Sequence, residues 1–117
     1  MRRNPWVFLS DVKDAADAIA RFVGSRDEEA YFADEMLRAA VERQFEIIGE
    51  ALNRLMRLSP ELASRIPSIG EAIAFRNVLI HGYAQIDHQS VWMTINDDLP
   101  KLRAHVAALL PDPEQPS

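Results

Sequence analysis

Residues 37–58 read LRAAVERQFEIIGEALNRLMRL, and their apolar side chains recur every three or four positions. The recurring positions are Leu37, Val41, Phe45, Ile48, Leu52 and Leu55. This spacing puts one set of side chains on a single face of an α-helix, the face that a helix buries. The pattern extends back toward Ser25-Arg26-Asp27-Glu28, which has the composition of a capping box. We therefore predict one long helix from this box to Leu58.

Gly49 lies inside this helix, where glycine is less favourable than alanine by about 1 kcal/mol. A glycine at a helical position is typical of a place where another backbone comes close. We therefore expect a second element to pack tightly against the long helix at Gly49.

On the amino-terminal side, Asn4-Pro5 has the pattern of an N-cap followed by proline at the first helical position. Helical periodicity runs from Phe8 to Val23, and Gly24 is expected to end this helix. After the long helix, Ser59-Pro60 predicts a short helical turn that ends near Ile66-Pro67.

On the carboxyl-terminal side, Ser68-Ile69-Gly70-Glu71 is a second capping-box pattern, and Gly82 is expected to end that helix in the left-handed conformation. Asp87 is placed to cap the last helix. Pro100 should kink that helix or divide it, because proline lacks the N–H group that a helix interior needs.

No segment alternates with a period of two over enough residues to predict a strand. We predict an all-α protein, an antiparallel bundle of four main helices plus a short helix, in a single domain over residues 1–110. Residues 111–117 read PDPEQPS and are expected to form a disordered tail. The side chains expected in the core are Leu37, Val41, Ile48, Leu52, Ile73, Leu79, Val91, Ile95, Leu102 and Val106.

The composition excludes several classes of function. The absence of cysteine excludes disulfides, thiolate zinc sites and cysteine nucleophiles. The amino-terminal apolar run ends at Leu9 and no apolar run spans a bilayer, so a cytoplasmic protein without membrane association is expected. The net charge of −5 weighs against general nucleic-acid binding, although it permits a local basic cleft.

The segment RNVLIHGY at residues 76–83 holds the side chains best suited to chemistry. Arg76 and His81 are five positions apart on one helix, about 140° around its axis and about 7.5 Å along it, so they diverge. Asn77 and His81, four positions apart, share a face. A two-fold dimer that packs these helices together would bring both copies of Arg76 and His81 around one phosphate.

Such a site suits RNA cleavage without a metal or cofactor. Histidine has the pKa needed to exchange protons with ribose oxygens, and arginine stabilises charge that develops on a phosphate. The simpler interpretation is that His81-Gly82 only ends a helix, because a histidine complements the helix dipole there. His88 and His105 are expected to be surface residues.

The same segment resembles the Arg-x4-His-x-Tyr motif of HepT-like toxins, which belong to the HEPN superfamily. Residues 40–51, AVERQFEIIGEA, resemble the second helix of that family. Residues 90–92 and 96–100 resemble its last helix. The resemblance covers residues 8–110 and follows the order of the family.

The resemblance implies a HEPN-like homodimer with a composite cleft and the activity of an RNA endonuclease. Arg76 and His81 correspond to the catalytic residues of the family, and Asn77 is the polar residue beside the arginine. It also implies a type VII toxin–antitoxin pair, in which an MntA-like minimal nucleotidyltransferase antitoxin transfers AMP from ATP to the motif tyrosine, here Tyr83. The added phosphodiester would then block RNA.

Two alternatives stay open at the level of sequence. Arg43, Arg54 and Arg57 are candidates for an RNA path, but Glu46 and Glu50 on the same helix favour a packed polar network for Arg43 and Arg54. The alternative to a ribonuclease is a non-catalytic helical dimer that binds a nucleotidyltransferase partner or a nucleotide. RNA cleavage by the purified, unmodified protein distinguishes these two functions.

Overall fold

The computed structural model describes residues 4–82 and 86–111, and every regular element in these ranges is helical. The helices are α1 (Pro5–Val23), α2 (Glu28–Ala33), α3 (Glu35–Leu58), α4 (Pro60–Ala63), α5 (Ile69–His81), α6 (His88–Met93) and α7 (Leu99–Leu109). A π-helical turn, Thr94–Asp98, joins α6 to α7. The prediction of an all-α fold is confirmed.

Helix α3 lies at the centre of the bundle and packs against both α1 and α5, while α7 packs against α1. Helix α1 begins where the sequence predicts, because Asn4 Oδ1 accepts a hydrogen bond of 2.9 Å from the Trp6 N–H. It ends at Gly24, whose φ of 55° is accessible to glycine without strain.

The prediction of one helix from Ser25 to Leu58 is wrong, because the chain breaks at Asp34. Asp27, two residues after Ser25, caps α2 by accepting from the Ala30 N–H at 2.9 Å. Asp34 has extended backbone angles and caps α3 by accepting from the Leu37 N–H at 3.0 Å. A second N-cap can form there because an aspartate oxygen satisfies backbone donors that the break exposes.

The two ends of α5 also differ from the predicted pattern. Ser68 holds the N-cap position, but its φ is 66° and its side chain makes no capping hydrogen bond. Gly82 follows the last helical residue as predicted, yet it has right-handed angles of −78° and −13°. Its N–H donates to the Val78 carbonyl at 2.6 Å. Gly82 therefore continues the helical turn instead of reversing it.

The predicted interruption at Pro100 is observed. The chain widens into the π-helical turn immediately before α7, where Pro100 occupies the first turn. This widening accommodates a residue that cannot donate a backbone hydrogen bond. Asp87 caps α6 as predicted and accepts from the Gln89 N–H at 3.0 Å and the Ser90 N–H at 3.4 Å.

Eight of the ten predicted core side chains are buried, and the other two, Ile73 and Leu102, are partly buried against the same cluster. The core therefore lies where the periodicity places it. None of the helices in the described ranges is long and apolar enough to cross a membrane. The predicted tail from residue 112 onward lies outside the described residues.

Candidate active site

Arg76 is seated where α5 approaches α3 most closely. Gly49 on α3 is buried, and a Cβ atom added there would lie 2.7 Å from Arg76 Cγ and 3.2 Å from the Ala72 carbonyl oxygen. Carbon atoms normally pack at about 3.5–4.0 Å, so only glycine leaves room for this contact. The expected close approach at Gly49 is confirmed. This packing fixes the position of the Arg76 stem, the Cβ and Cγ atoms of its side chain.

The guanidinium of Arg76 is held by two oxygen atoms. Its Nη2 donates to Glu50 Oε2 at 2.9 Å, and its Nη1 donates to Asn77 Oδ1 at 2.9 Å. The Nε atom is buried and has no hydrogen-bond partner among the described residues. The side chain is 25% exposed, so the head group reaches the surface in a fixed orientation.

A cleft of about 300 Å³ opens beside this guanidinium, between α1, α3 and α5. Its charged lining comprises three carboxylates and three arginines, namely Asp11, Glu46, Glu50, Arg43, Arg54 and Arg76. Arg43 pairs with Glu46 at 3.3 Å and Arg54 pairs with Glu50 at 3.0 Å. The polar network that the sequence favours for Arg43 and Arg54 is therefore present, whereas Arg57 is exposed near the end of α3.

Asn77 and His81 lie on the outward face of α5, where both are exposed. Since α5 is a regular helix from Ile69 to His81, the angle of about 140° between Arg76 and His81 is retained. One chain therefore does not bring these two side chains onto one face. Two apolar residues, Val78 (55% exposed) and Ile80 (37% exposed), flank the polar positions of that face.

Comparison with known proteins identifies the family of this chain. A family model described as Ribonuclease HepT-like matches residues 12–109. The chain belongs to the HepT-like ribonuclease family. The curated relative "Putative RNase MJ1380" from Methanocaldococcus jannaschii is 31% identical over 107 residues, covering 90% of this chain and 95% of the relative. "Probable ribonuclease HepT" from Thermococcus cleftensis is 34% identical over 107 residues, covering 88% and 93% respectively. No solved structure gives a significant match.

Membership confirms the resemblance carried by residues 76–83 and indicates that this HepT-like chain is a ribonuclease. Tyr83, the tyrosine of the motif, lies outside the described residues. Within residues 4–82 and 86–111, no three histidine, aspartate or glutamate side chains are grouped so that they could hold a metal ion.

The other two histidines of this HepT-like chain have different surroundings. His105 is exposed on α7, as predicted. His88 lies in the first turn of α6 with 42% of its side chain exposed, as predicted for a surface residue, and its Nδ1 atom lies 3.8 Å from Glu42 Oε2 on α3. Burial raises the pKa of Glu42, and the charge of His88 opposes that change. His88 thus faces α3 rather than the cleft beside Arg76.

Glu50 was predicted to join a network on its own helix, but it also contacts Arg76, which is 26 residues away and was not predicted as its partner. The one local signal was the neighbouring Gly49, which marks the side of α3 that another element approaches. The sequence did not indicate that Arg76 would be the side chain resting there.

Proposed function

We propose that the protein is a toxin that acts as a metal-independent RNA endonuclease, with Arg76 and His81 of two subunits forming one composite site. The observation that carries this proposal is the fixed guanidinium of Arg76 beside an open cleft, on the same helix as an exposed His81. Membership of a ribonuclease family supports RNA as the substrate.

The surface of α5 supports a two-fold dimer. Apolar residues occur all around this helix, yet Leu79 is its one buried side chain. A helix that is apolar on every side is normally buried. The outward face of α5 with Val78 and Ile80 is therefore expected to pack against another protein surface. In a two-fold dimer, α5 of the second copy packs on this face and places a second Arg76 and His81 at the shared cleft.

The chemistry follows from the two kinds of side chain. One neutral His81 accepts the proton of a ribose 2′-hydroxyl, whose oxygen then attacks the adjacent phosphorus. The P–O5′ bond breaks and the leaving oxygen takes a proton from the imidazolium of the other His81, giving a 2′,3′-cyclic phosphate and a 5′-hydroxyl. Arg76 stabilises charge on the phosphate oxygens. Asn77 binds Arg76 through Oδ1, which leaves its amide N–H groups for His81 or the substrate.

The test is RNA cleavage by purified, unmodified protein in EDTA. We expect a cyclic phosphate product, no cleavage of a substrate with 2′-deoxyribose at the scissile position, and loss of activity in Arg76→Ala and His81→Ala without a change in helical content. Each substitution should lower the rate by about 10²-fold or more, since proton transfer alone contributes about 10²–10⁴-fold. Cleavage that requires a divalent cation, or that persists in His81→Ala, contradicts the mechanism. Failure of the wild type to cleave any RNA favours the non-catalytic dimer.

We also propose that Tyr83 is the site of control by an MntA-like minimal nucleotidyltransferase antitoxin. The phenol oxygen attacks the α-phosphorus of ATP, so that Tyr83 gains AMP, pyrophosphate leaves and the phenol proton passes to solvent. The proposal is supported by the family motif and by the position of Tyr83 two residues after His81. The added phosphodiester repels an RNA phosphate from Arg76 and His81.

Intact mass measured after incubation with the antitoxin, ATP and Mg²⁺ tests this control. The wild type should gain whole AMP increments and lose RNA cleavage. Tyr83→Phe should gain none and stay active, because it lacks the acceptor oxygen and keeps the ring. Modification of Tyr83→Phe, or cleavage by fully modified wild type, is incompatible with the proposal.

A further inference from the structure

Glu50 joins the two helices that form the candidate site. Its Oε2 atom accepts from Nη2 of Arg76 on α5 at 2.9 Å, and its Oε1 atom accepts from Nε of Arg54 on α3 at 3.0 Å. We propose that Glu50 is a positioning residue for Arg76, and this inference rests on the proposed ribonuclease function. One carboxylate thereby sets both the direction of the Arg76 guanidinium and its distance from Arg54.

This contact differs from an ordinary surface ion pair. An exposed pair gains little because two long side chains lose freedom when they meet, and the typical gain is about 0–1 kcal/mol. The stem of Arg76 is already confined against Gly49, and its Nε atom is buried. Much of that freedom is therefore lost before the pair forms, so Glu50 decides where the head group points.

The Arg43–Glu46 pair provides the contrast within the same cleft. It lies one turn earlier on α3, and its arginine side chain is 68% exposed compared with 25% for Arg76. Both of its partners belong to α3, so it joins no second helix. Removing the charge of Glu46 should therefore alter the electrostatics of the cleft without moving Arg76.

Glu50 and Asn77 hold Arg76 in a way that leaves donors for a substrate. Each Nη atom carries two hydrogens, and one on each is used by these two oxygens. The second hydrogen on each of Nη1 and Nη2 is left to donate to phosphate oxygens. The negative charge of Glu50 opposes RNA binding, so its benefit must appear in turnover rather than in affinity.

The experiment compares Glu50→Gln with Glu46→Gln, both of which remove one charge from the cleft and keep the shape of the side chain. We expect Glu50→Gln to lower kcat by about 10- to 100-fold, because a displacement of about 1 Å at a reacting group has that effect. KM should stay constant or fall, because a charge that repels phosphate is gone. Glu46→Gln should leave kcat near the wild-type value. An unchanged or higher kcat in Glu50→Gln would show that Glu50 only repels RNA, and would overturn the inference.

A second measurement does not depend on RNA cleavage. The Nε–H group of Arg76 is buried, so in ¹⁵N-labelled wild type it should give a resolved NMR signal that exchanges slowly with water. Glu50→Gln and Glu50→Ala should broaden or lose this signal while the backbone spectrum persists, and Glu46→Gln should retain it. An unchanged Arg76 signal in folded Glu50→Gln refutes the positioning role. If the signal depends on Glu50 but the wild type cuts no RNA, the contact stands and the proposed function fails.

Discussion

Replacing Gly49 with alanine tests how closely α3 and α5 must pack to hold Arg76. The added Cβ atom would lie 2.7 Å from Arg76 Cγ, about 1 Å inside the normal carbon–carbon contact distance of about 3.5–4.0 Å. It would also lie 3.2 Å from the Ala72 carbonyl oxygen, which belongs to the backbone of α5 and cannot rotate away. Either α5 or the Arg76 stem must therefore move by about 1 Å.

Two effects on the free energy of unfolding oppose each other in Gly49→Ala. Alanine favours the helix over glycine by about 1 kcal/mol, whereas overpacking costs about 1–3 kcal/mol. We expect a net loss of stability of up to about 2 kcal/mol. RNA cleavage should fall by about 10²-fold, because a misplacement of about 1 Å at a reacting group has an effect of that size.

Gly70→Ala is the matched control for this substitution. Gly70 also lies in a helix, but a Cβ atom added there meets no atom within 4 Å. This variant should be neutral or more stable by up to about 1 kcal/mol and should retain activity. Urea unfolding of both variants at one protein concentration, together with their cleavage rates, measures the difference. If Gly49→Ala matches Gly70→Ala in both stability and activity, the close packing of α5 on α3 does not position Arg76.

Two further predictions concern assembly and acid stability. If α5 forms the proposed dimer, Val78→Glu should give monomers in sedimentation experiments and abolish cleavage without altering the helical content, because it puts a charge on the exposed apolar face of α5. Met93→Glu is the control: it changes a side chain that is equally exposed, at 55%, and should leave the proposed dimer intact. The hydrogen bond from Lys13 and the charge of Arg103 lower the pKa of Asp17 below its ordinary value of 3.8. The ionised carboxylate therefore stabilises the fold fully above pH 3.8, and this stabilisation is lost as the pH falls through the lowered pKa. Asp17→Asn should therefore lower the free energy of unfolding, measured in urea, by up to about 1 kcal/mol at pH 7 and by progressively less below pH 3.8. An equal reduction at pH 7 and at pH 2 would contradict this dependence on the ionisation of Asp17.

Much of the fold follows from interactions within one helical turn. Asn4 and Asp87 cap their helices as predicted because an N-cap side chain bonds to an N–H group only two or three residues away. Gly24 and Pro100 also act locally, through their own backbone restrictions. The apolar period predicted the buried faces for the same reason, since it reports which positions share one side of a helix.

The break at Asp34 could not be predicted from local pattern. Aspartate is compatible both with the exposed side of a helix and with an N-cap, and the residues on either side of it favour helix in both cases. In the folded chain Tyr31 is fully buried, and its ring centre lies 5.2 Å from that of Trp92 on α6. This contact between distant parts of the chain holds α2 against α6, and the sequence around Asp34 does not reveal it.

In the candidate site, too, some features follow from local pattern and others from tertiary packing. Local pattern was enough to predict that Arg76, Asn77 and His81 lie on one helix and that Arg76 and His81 diverge, because a regular helix fixes the angle between any two of its residues. The contact of Glu50 with Arg76, and the space that Gly49 leaves for it, arise from the packing of α5 on α3. That contact depends on how α3 and α5 are rotated and shifted against each other, which is set by the packing of both helices and not by the period of either one.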